Sequence, residues 1–255
     1  MKPEDVVSDI LKAITEKAKI GINLLDLEKT AETLITLYGA TSANKGYHPK
    51  WSPSPFPSVI CLGVNDVITH PVPTDYILKD GDLLHVDLGI MVNGMCGDAG
   101  LTIPIGEVSN KDRHLLKYSK GALYEGIKVV KAGVKVTEIG VAIERYVVSH
   151  GFVVNRLFMG HGIGRTMHEG IQIPHFDILF ERPDYTNTAV LVEGDIICIE
   201  PMITYKDKFG YKDKDGWTFR TRDKKKSCFF ENMVRVTNLG CEVLTSHIIG
   251  GELNA

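Results

Sequence analysis

Several features that define other classes of protein are missing from this chain of 255 residues. No apolar run approaches the roughly 20 residues that a membrane-spanning helix needs, and residues 1–5 lack the apolar core of a signal peptide. The five cysteines include no C-x-x-C pair and lie mostly in apolar runs, which favours reduced, buried thiols over a disulfide framework. We therefore expect a cytoplasmic protein without a membrane partner.

The chain also lacks a strong excess of either charge. Its formal net charge is −3, its pI is near 6.3, and its one basic cluster, 220–226, is interrupted by Thr221 and Asp223. Surfaces that bind nucleic acid usually carry a clear positive excess. We therefore expect no specific nucleic-acid partner, and the length allows one large domain or two smaller ones.

What the sequence does contain is a repeat. Residues 80–87 read DGDLLHVD, and residues 193–200, about 110 positions later, read EGDIICIE. In both segments, turn residues precede a short apolar run that ends on a carboxylate, Asp87 or Glu200. An ionised carboxylate at the end of a buried strand is costly unless it is paired or holds a metal.

The repeat extends upstream, where the segment after Gly21 resembles the segment after Gly133. A solenoid would have a shorter period, of roughly 20–50 residues. We therefore expect a single domain, 1–255, built from two similar halves, about 1–110 and 111–255, that pack around a pseudo-twofold axis. Such an axis brings the two carboxylates together.

Hydrophobic periodicity divides each half into helices and strands. Helical patterns cover 4–19, 26–38, 111–131 and 137–150. Strand patterns cover 58–63, 83–92, 95–103, 152–158, 189–192, 195–203, 228–237 and 241–245. The proline-rich segment 45–57 is typical of a loop and is a candidate pocket wall. Because helices and strands occur in blocks, we predict an α+β fold in which helices cover a curved antiparallel sheet.

A hairpin in the first half brings two acids to one face of the sheet. Asn93-Gly94 is a strong signal for a two-residue type I′ turn. With that turn, Asp98 lies opposite Gly89, and Gly89 shares a face with Asp87. The two aspartates are then diagonal neighbours that can share an ion.

Two more acids and a histidine complete a candidate metal centre. Glu200 is the repeat equivalent of Asp87, Glu231 lies in a strand pattern, and His161 is flanked by glycines. Four acids near one axis repel each other unless cations hold them. Oxygen-rich ligation suits Mn, Fe, Co or a carboxylate-bridged Zn pair. We therefore predict two divalent metal ions, about 3.5–4 Å apart, in a hydrolytic centre.

These residues resemble the metal ligands of a known family. The ligand order Asp, Asp, His, Glu, Glu is similar to that of the methionine aminopeptidases, short bacterial type, within the metal-dependent pita-bread peptidases. In this chain the order falls on Asp87, Asp98, His161, Glu200 and Glu231. Further motif matches lie at 64–70, 160–165, 199–202 and 215–218. The resemblance covers about 5–246.

The resemblance implies an activity and a mechanism. It implies a hydrolase that removes the initiator methionine from peptides and nascent chains, with the ribosome surface as a potential partner. A hydroxide held by the two metal ions would attack the peptide carbonyl, and Glu200 would transfer the proton.

The resemblance also implies roles for residues around the metals. His168 would lie near the scissile carbonyl, and His70 near the departing peptide. The methionine pocket would include Cys61, either Phe56 or Tyr47, Met167 and Trp217. For Cys61 and Met167, packing in the core is an equally good interpretation.

The chain departs from the family pattern near the substrate site, and two other functions stay open. Pro71 stands where glycine usually follows the first histidine, and the loop 48–57 is longer and richer in proline. One alternative is a prolidase-like or aminopeptidase P-like enzyme, although such enzymes usually carry an extra N-terminal domain and another histidine before the G-H-G motif. The other is a non-enzymatic binding protein of the same fold, which would usually have lost metal ligands.

Overall fold

The computed structural model describes residues 1–245. The helices in this range are α1 (Pro3–Lys17), α2 (Leu24–Leu37), α3 (Asn110–Lys128), α4 (Val136–Ser149) and α5 (Ile178–Glu181). The strands are β1 (Thr41–Ser42), β2 (Cys61–Val64), β3 (Val67–Thr69), β4 (Leu83–Val92), β5 (Met95–Pro104), β6 (Val153–Val154), β7 (Gly160–Gly162), β8 (Glu169–Ile173), β9 (Ile196–Ile199), β10 (Met202–Thr204), β11 (Tyr211–Lys212), β12 (Phe219–Arg220), β13 (Ser227–Val236) and β14 (Cys241–Val243). The end of the predicted domain, 246–255, lies outside the described residues.

One large antiparallel sheet organises the molecule. Its strands run in the order β1-β4-β5-β13-β9-β7-β8, and β2, β6, β10 and β14 pair beside this path. A second, smaller sheet has the order β11-β12-β3. Helix α1 packs against β4 and β5, and α3 packs against β13, so that helices and sheet share one apolar core. None of the helices in the described range has the length and hydrophobicity that a membrane span requires.

The repeat seen in the sequence recurs as matching local structure. Gly81 and Gly194 have φ values of +85° and +92°, in the left-handed region that favours glycine. Immediately after them, the carboxylates of Asp82 and Asp195 each accept a hydrogen bond of 2.9 Å from a backbone N–H three residues earlier. The same turn therefore leads into β4 in the first half and into β9 in the second.

The two halves join where β5 pairs with β13. In this pairing Glu231 lies opposite Gly100, and Gly100 is also the partner of Asp87 in β4. A Cβ atom at Gly100 would lie 2.4 Å from the Phe229 ring and 3.2 Å from the Glu231 carboxylate. Glycine is needed here because the strands from the two halves approach closely.

Some predicted strands differ from the structure. The pattern 195–203 divides into β9 and β10 around Pro201, which has no N–H to contribute to a ladder. The pattern 152–158 shortens to the two residues of β6, and 189–192 provides only an isolated bridge between Val190 and Lys135. Strands β7 and β8 had no predicted counterpart because they combine glycines with polar residues and depend on tertiary pairing.

Candidate metal centre and active site

The β4–β5 hairpin brings Asp87 and Asp98 together. Its turn residues, Asn93 and Gly94, both have positive φ values, and Asp98 pairs with Gly89, as the hairpin register predicts. Asp98 is only 3% exposed, and its Oδ1 atom has no hydrogen-bond partner among the described residues. A buried carboxylate oxygen without a donor points to a positive partner such as a metal ion.

The other predicted ligands come from the second half. Nε2 of His161, in β7, lies 3.5 Å from Asp98 Oδ2 and 3.6 Å from Glu200 Oε1, at the end of β9. The Nδ1–H group of His161 donates to the carbonyl oxygen of Gly162 at 2.9 Å, which leaves Nε2 facing the acids. Glu231, in β13, is 2% exposed and lines the same space.

The electrostatics of this cluster fit a divalent metal centre. Burial, with repulsion from neighbouring carboxylates, raises the pKa of Asp87 and of Glu200 to about 8, and the pKa of Glu231 well above its ordinary value. Burial alone would lower the pKa of His161, but Asp98 and Glu200 outweigh burial and raise it to about 9. The carboxylates can all ionise at neutral pH only if cations compensate them.

A cavity of about 330 Å³ opens over these residues. All ten residues predicted for the site line it, namely Asp87, Asp98, His161, Glu200, Glu231, His70, His168, Cys61, Phe56 and Trp217. Tyr47 and Met167, the other pocket candidates, also line it, so that the choice between Phe56 and Tyr47 is not exclusive. The cavity thus joins the acidic cluster to an apolar compartment.

Two further histidines stand beside the acidic cluster as neutral bases. Burial, assisted by the positive charge of His161, lowers the pKa of His70 to about 4 and of His168 to about 3. The His168 ring lies 4.2 Å from the His161 ring, centroid to centroid. His70 has a φ of +52° and packs edge-on against Phe158 at 4.6 Å. Both rings can therefore take part in hydrogen bonding without adding charge.

The apolar compartment is built from three buried side chains. Phe56, Cys61 and Trp217 form one cluster, in which the two aromatic rings meet edge to face at 5.0 Å. Burial, together with the charge of Asp87, raises the pKa of the Cys61 thiol well above its ordinary value. Cys61 therefore both packs in this cluster and faces the cavity as a neutral thiol.

Comparison with known proteins agrees with this geometry over most of the chain. A family model described as "Metallopeptidase family M24" matches residues 3–238. The chain belongs to metallopeptidase family M24. Methionine aminopeptidase 1 of Bacillus subtilis is 35% identical over 227 residues, which cover 89% of this chain and 87% of that protein. The crystal structure of methionine aminopeptidase from Rickettsia prowazekii has a TM-score of 0.87 at 32% identity and covers 95% of this chain and 94% of that chain.

Solved structures of enzymes named for proline peptides are similar to this chain in fold at lower sequence identity. The Xaa-Pro dipeptidase from Bacillus anthracis gives a TM-score of 0.74 at 20% identity, and the match covers 58% of that longer chain. The predicted α+β fold of pita-bread type is confirmed by the structural matches. The prediction of a metallo-aminopeptidase is likewise confirmed over the proline-directed and non-enzymatic alternatives.

The M24 site also contains a thiol that the sequence did not lead us to expect there. Donor atoms of Asp98, His161, Cys198 and Glu231 all lie within 4.8 Å of one another. From the sequence, Cys198 counts only among the buried thiols. Its position two residues before Glu200, on the same face of an extended strand, was the available signal.

A second residue that sequence reasoning missed connects two of the segments that carry predicted ligands. His175 is 1% exposed, and its Nε2 accepts hydrogen bonds from the backbone N–H groups of Gly160, at 3.1 Å, and Glu200, at 3.2 Å. Burial, followed by the charge of His161, lowers the pKa of His175 to about 3, so that the ring stays a neutral acceptor. One imidazole thus joins the residue before His161 to Glu200 itself.

Proposed function

We propose that this chain is a methionine aminopeptidase, which removes N-terminal methionine from peptides and nascent chains. The observation that carries the proposal is the cavity in which five metal-type donors meet a compartment lined by Phe56, Cys61 and Trp217. An unbranched thioether fits an apolar, aromatic-lined compartment well. The relatives named methionine aminopeptidase support the same activity.

The proposed cofactor is a pair of divalent ions, drawn from Co, Mn, Fe and Zn. Asp87, Asp98, His161, Glu200 and Glu231 would hold them, and the partnerless Oδ1 atom of Asp98 supports this assignment within the described residues. When bound, such ions activate water as a nucleophile and polarise the peptide carbonyl.

The remaining chemistry is assigned to side chains of the chain itself. Glu200 accepts the proton of the attacking water and gives it to the nitrogen of the departing amine as the C–N bond breaks, a role suited to a buried carboxylate beside the cluster. His168 donates a hydrogen bond to the developing oxyanion, and His70 lies beside the departing peptide. Cys61, Phe56 and Trp217 bind the methionine side chain, with Tyr47 and Met167 completing the walls.

The proposal extends to the setting of the reaction. Because nascent chains begin with methionine, we place the protein in the cytoplasm, with the ribosome surface as a potential partner. We also propose that 1–255 forms one catalytic domain whose halves, about 1–110 and 111–255, each contribute ligands. Acids from both β4–β5 and β9–β13 face the cavity, which supports this arrangement.

A peptide panel tests the proposed activity. The protein is loaded in turn with Mn, Fe, Co and Zn and given Met-Ala-x, Met-Gly-x, Met-Leu-x, Met-Lys-x and Xaa-Pro peptides, with N-acetylated Met-Ala-x as the control for a free amine. We expect methionine to be released from Met-Ala-x and Met-Gly-x, little from peptides with a large second residue, and none from the acetylated control. Efficient cleavage of Xaa-Pro peptides that lack methionine would instead establish a proline-directed enzyme.

A further inference from the structure

Trp51 occupies a position between the apolar compartment and His70. It lines the cavity, stacks on the His70 ring at 5.6 Å with 22° between the planes, and meets the Trp217 ring edge to face at 5.0 Å. It also contacts Phe158 and Phe219, each at 5.7 Å between ring centroids. With 38% of its surface exposed, the indole forms the outer wall of the cavity on the His70 side.

The loop that carries Trp51 is closed upon itself. The Phe56 N–H donates to the Tyr47 carbonyl at 2.8 Å, and the Gly46 N–H donates to the Phe56 carbonyl at 2.9 Å. The Ser52 hydroxyl, with one hydrogen to donate, lies within hydrogen-bond distance of two carbonyl oxygens inside the loop, those of Pro49 and Ser54. Its four prolines restrict the backbone further. These hydrogen bonds and prolines therefore hold the loop in a defined conformation.

The loop is also attached to the second half of the molecule. Trp217 Nε1–H donates to the Ser54 carbonyl at 3.1 Å, and Lys212 Nζ donates to the Trp51 carbonyl at 3.2 Å. Pro53 packs so closely on Gly216 that a Cβ atom there would lie 2.4 Å from the proline ring. These contacts fix the indole over His70 before any peptide arrives.

Pro71, which stands where the family usually has glycine, does not form the outer wall of the cavity on the His70 side. It is buried, and its ring packs on Gly63, where a Cβ atom would lie 2.6 Å from the Pro71 Cβ. It is not among the residues that line the cavity. Pro71 therefore does not narrow the departing side of the cavity.

We propose that Trp51 is a specificity-determining residue, which narrows the cavity beside His70 and excludes peptides whose second residue is large. The inference rests on the proposed function, in which methionine occupies the Phe56–Cys61–Trp217 compartment and the peptide departs past His70. A side chain larger than that of alanine at the second position then meets the fixed indole. The loop 48–57 thereby sets the range of substrates.

The test compares Trp51→Ala and Trp51→Phe with wild type on matched Met-Ala-x, Met-Val-x and Met-Leu-x peptides. We expect Trp51→Ala to raise the Met-Leu-x to Met-Ala-x ratio of kcat/KM by about tenfold or more, within the range that one packed side chain provides. Trp51→Phe should give a smaller rise in the same direction. Lys50→Ala, at the exposed neighbouring position, should leave the ratio unchanged.

Several outcomes would overturn the proposal. One is a folded Trp51→Ala variant whose Met-Leu-x to Met-Ala-x ratio of kcat/KM equals that of wild type. Another is a variant that changes only the preference between methionine and leucine at the first position. If Trp51→Ala does not fold, as judged by circular dichroism, Trp51→Phe decides, because it keeps an aromatic ring in the loop.

A binding measurement separates this proposal from the proposed activity. Trp51 is one of two tryptophans in the chain, so its emission can be followed. A hydrolysis-resistant Met-Ala-Ser analogue with a reduced amide should change the emission of wild type more than that of Trp51→Phe. If wild type released no methionine but its emission still changed more than that of Trp51→Phe, the proposed activity would be refuted. The position of Trp51 beside the bound peptide would still be supported. Equal changes of emission in the two proteins would refute the proposal that Trp51 contacts the bound peptide.

Discussion

At the scale of single residues, His175 shows how one neutral ring organises charged neighbours. Its Nε2 atom accepts two backbone hydrogen bonds, from Gly160 and from Glu200, and so joins β7 to the end of β9. Such outer contacts orient metal ligands, and their loss typically reduces metal affinity by about 10–100-fold. The ring must stay unprotonated to accept both bonds, which its burial ensures.

Replacement of His175 should weaken the metal centre without removing a ligand. His175→Phe leaves two buried N–H groups without an acceptor, at a cost of about 1–3 kcal/mol each. We expect Mn affinity, measured by competition with a chelator, to fall by about 10–100-fold. His175→Gln, which restores an acceptor oxygen, should recover part of the loss. A Phe variant that binds Mn as tightly as wild type would show that His175 is only a packing residue.

The residues of the site differ in how far the sequence could reveal them. Asp87 and Glu200 were visible because the repeat aligns them, and Asp98 because the Asn93-Gly94 turn fixes the hairpin register. The sequence could not reveal Cys198 and His175 as site residues, because a thiol in an apolar run and a histidine before an aromatic residue resemble ordinary core positions. Their roles depend on contacts between strands that are distant in sequence.

At the scale of elements, the two equivalent turns make a matched pair. Gly81 and Gly194 each precede an aspartate that caps the turn, and each has a φ near +90°. A Cβ atom added at Gly194 would have no described atom within 4 Å, and one added at Gly81 would have its nearest neighbour at 3.5 Å. An added methyl group therefore meets no clash, and the cost of substitution comes from backbone conformation alone.

Alanine at either turn should cost a similar amount of stability. We expect Gly81→Ala and Gly194→Ala each to lower the free energy of unfolding by about 1–2 kcal/mol, the cost of the left-handed region for an L-residue. Gly240→Ala is the control, because that site is equally open and its φ is not positive. Urea denaturation measures all three. A neutral Gly194→Ala would mean that the turn does not require its conformation.

The sequence predicted long elements better than short ones. Helices α1 to α4 and the β4–β5 hairpin follow their periodic patterns within a few residues, because each carries its own apolar face. The short strands β3, β7, β11 and β12 have no such pattern. Their backbone groups pair because the surrounding chain brings them together, for example β12 with β3.

At the scale of the whole molecule, the acidic cluster couples metal binding to stability. In the metal-free protein, the pKa values of Asp87 and Glu200 rise to about 8 and that of His161 to about 9. Between pH 6.5 and 8 the folded state therefore binds more protons than the unfolded state, in which these acids are ionised and histidine, with a pKa of about 6.5, loses its proton across the same window. Stability must then fall as the pH rises through this window.

A pH series with and without metal tests this coupling. With a chelator present, we expect the free energy of unfolding to fall between pH 6.5 and 8, by about 1.4 kcal/mol per pH unit for each proton that only the folded state binds. With Mn bound, the slope should weaken or reverse, because deprotonated ligands bind the ion more tightly. Urea midpoints at pH 6.5, 7.2 and 8.0 give both slopes. A metal-free protein that gains stability across this window would contradict the electrostatic account of the cluster.

The central claim is that the acids around His161 form the metal centre that releases N-terminal methionine. The most direct test is the rate of methionine release from Met-Ala-x by Asp98→Asn, which removes a charge at nearly constant shape, with exposed Asp184→Asn as the control. The account predicts no turnover above background for Asp98→Asn, with the fold retained, and a wild-type rate for the control. If Asp98→Asn kept more than about a tenth of the wild-type kcat, a loss below roughly 1.4 kcal/mol, Asp98 would not be a ligand of the catalytic centre.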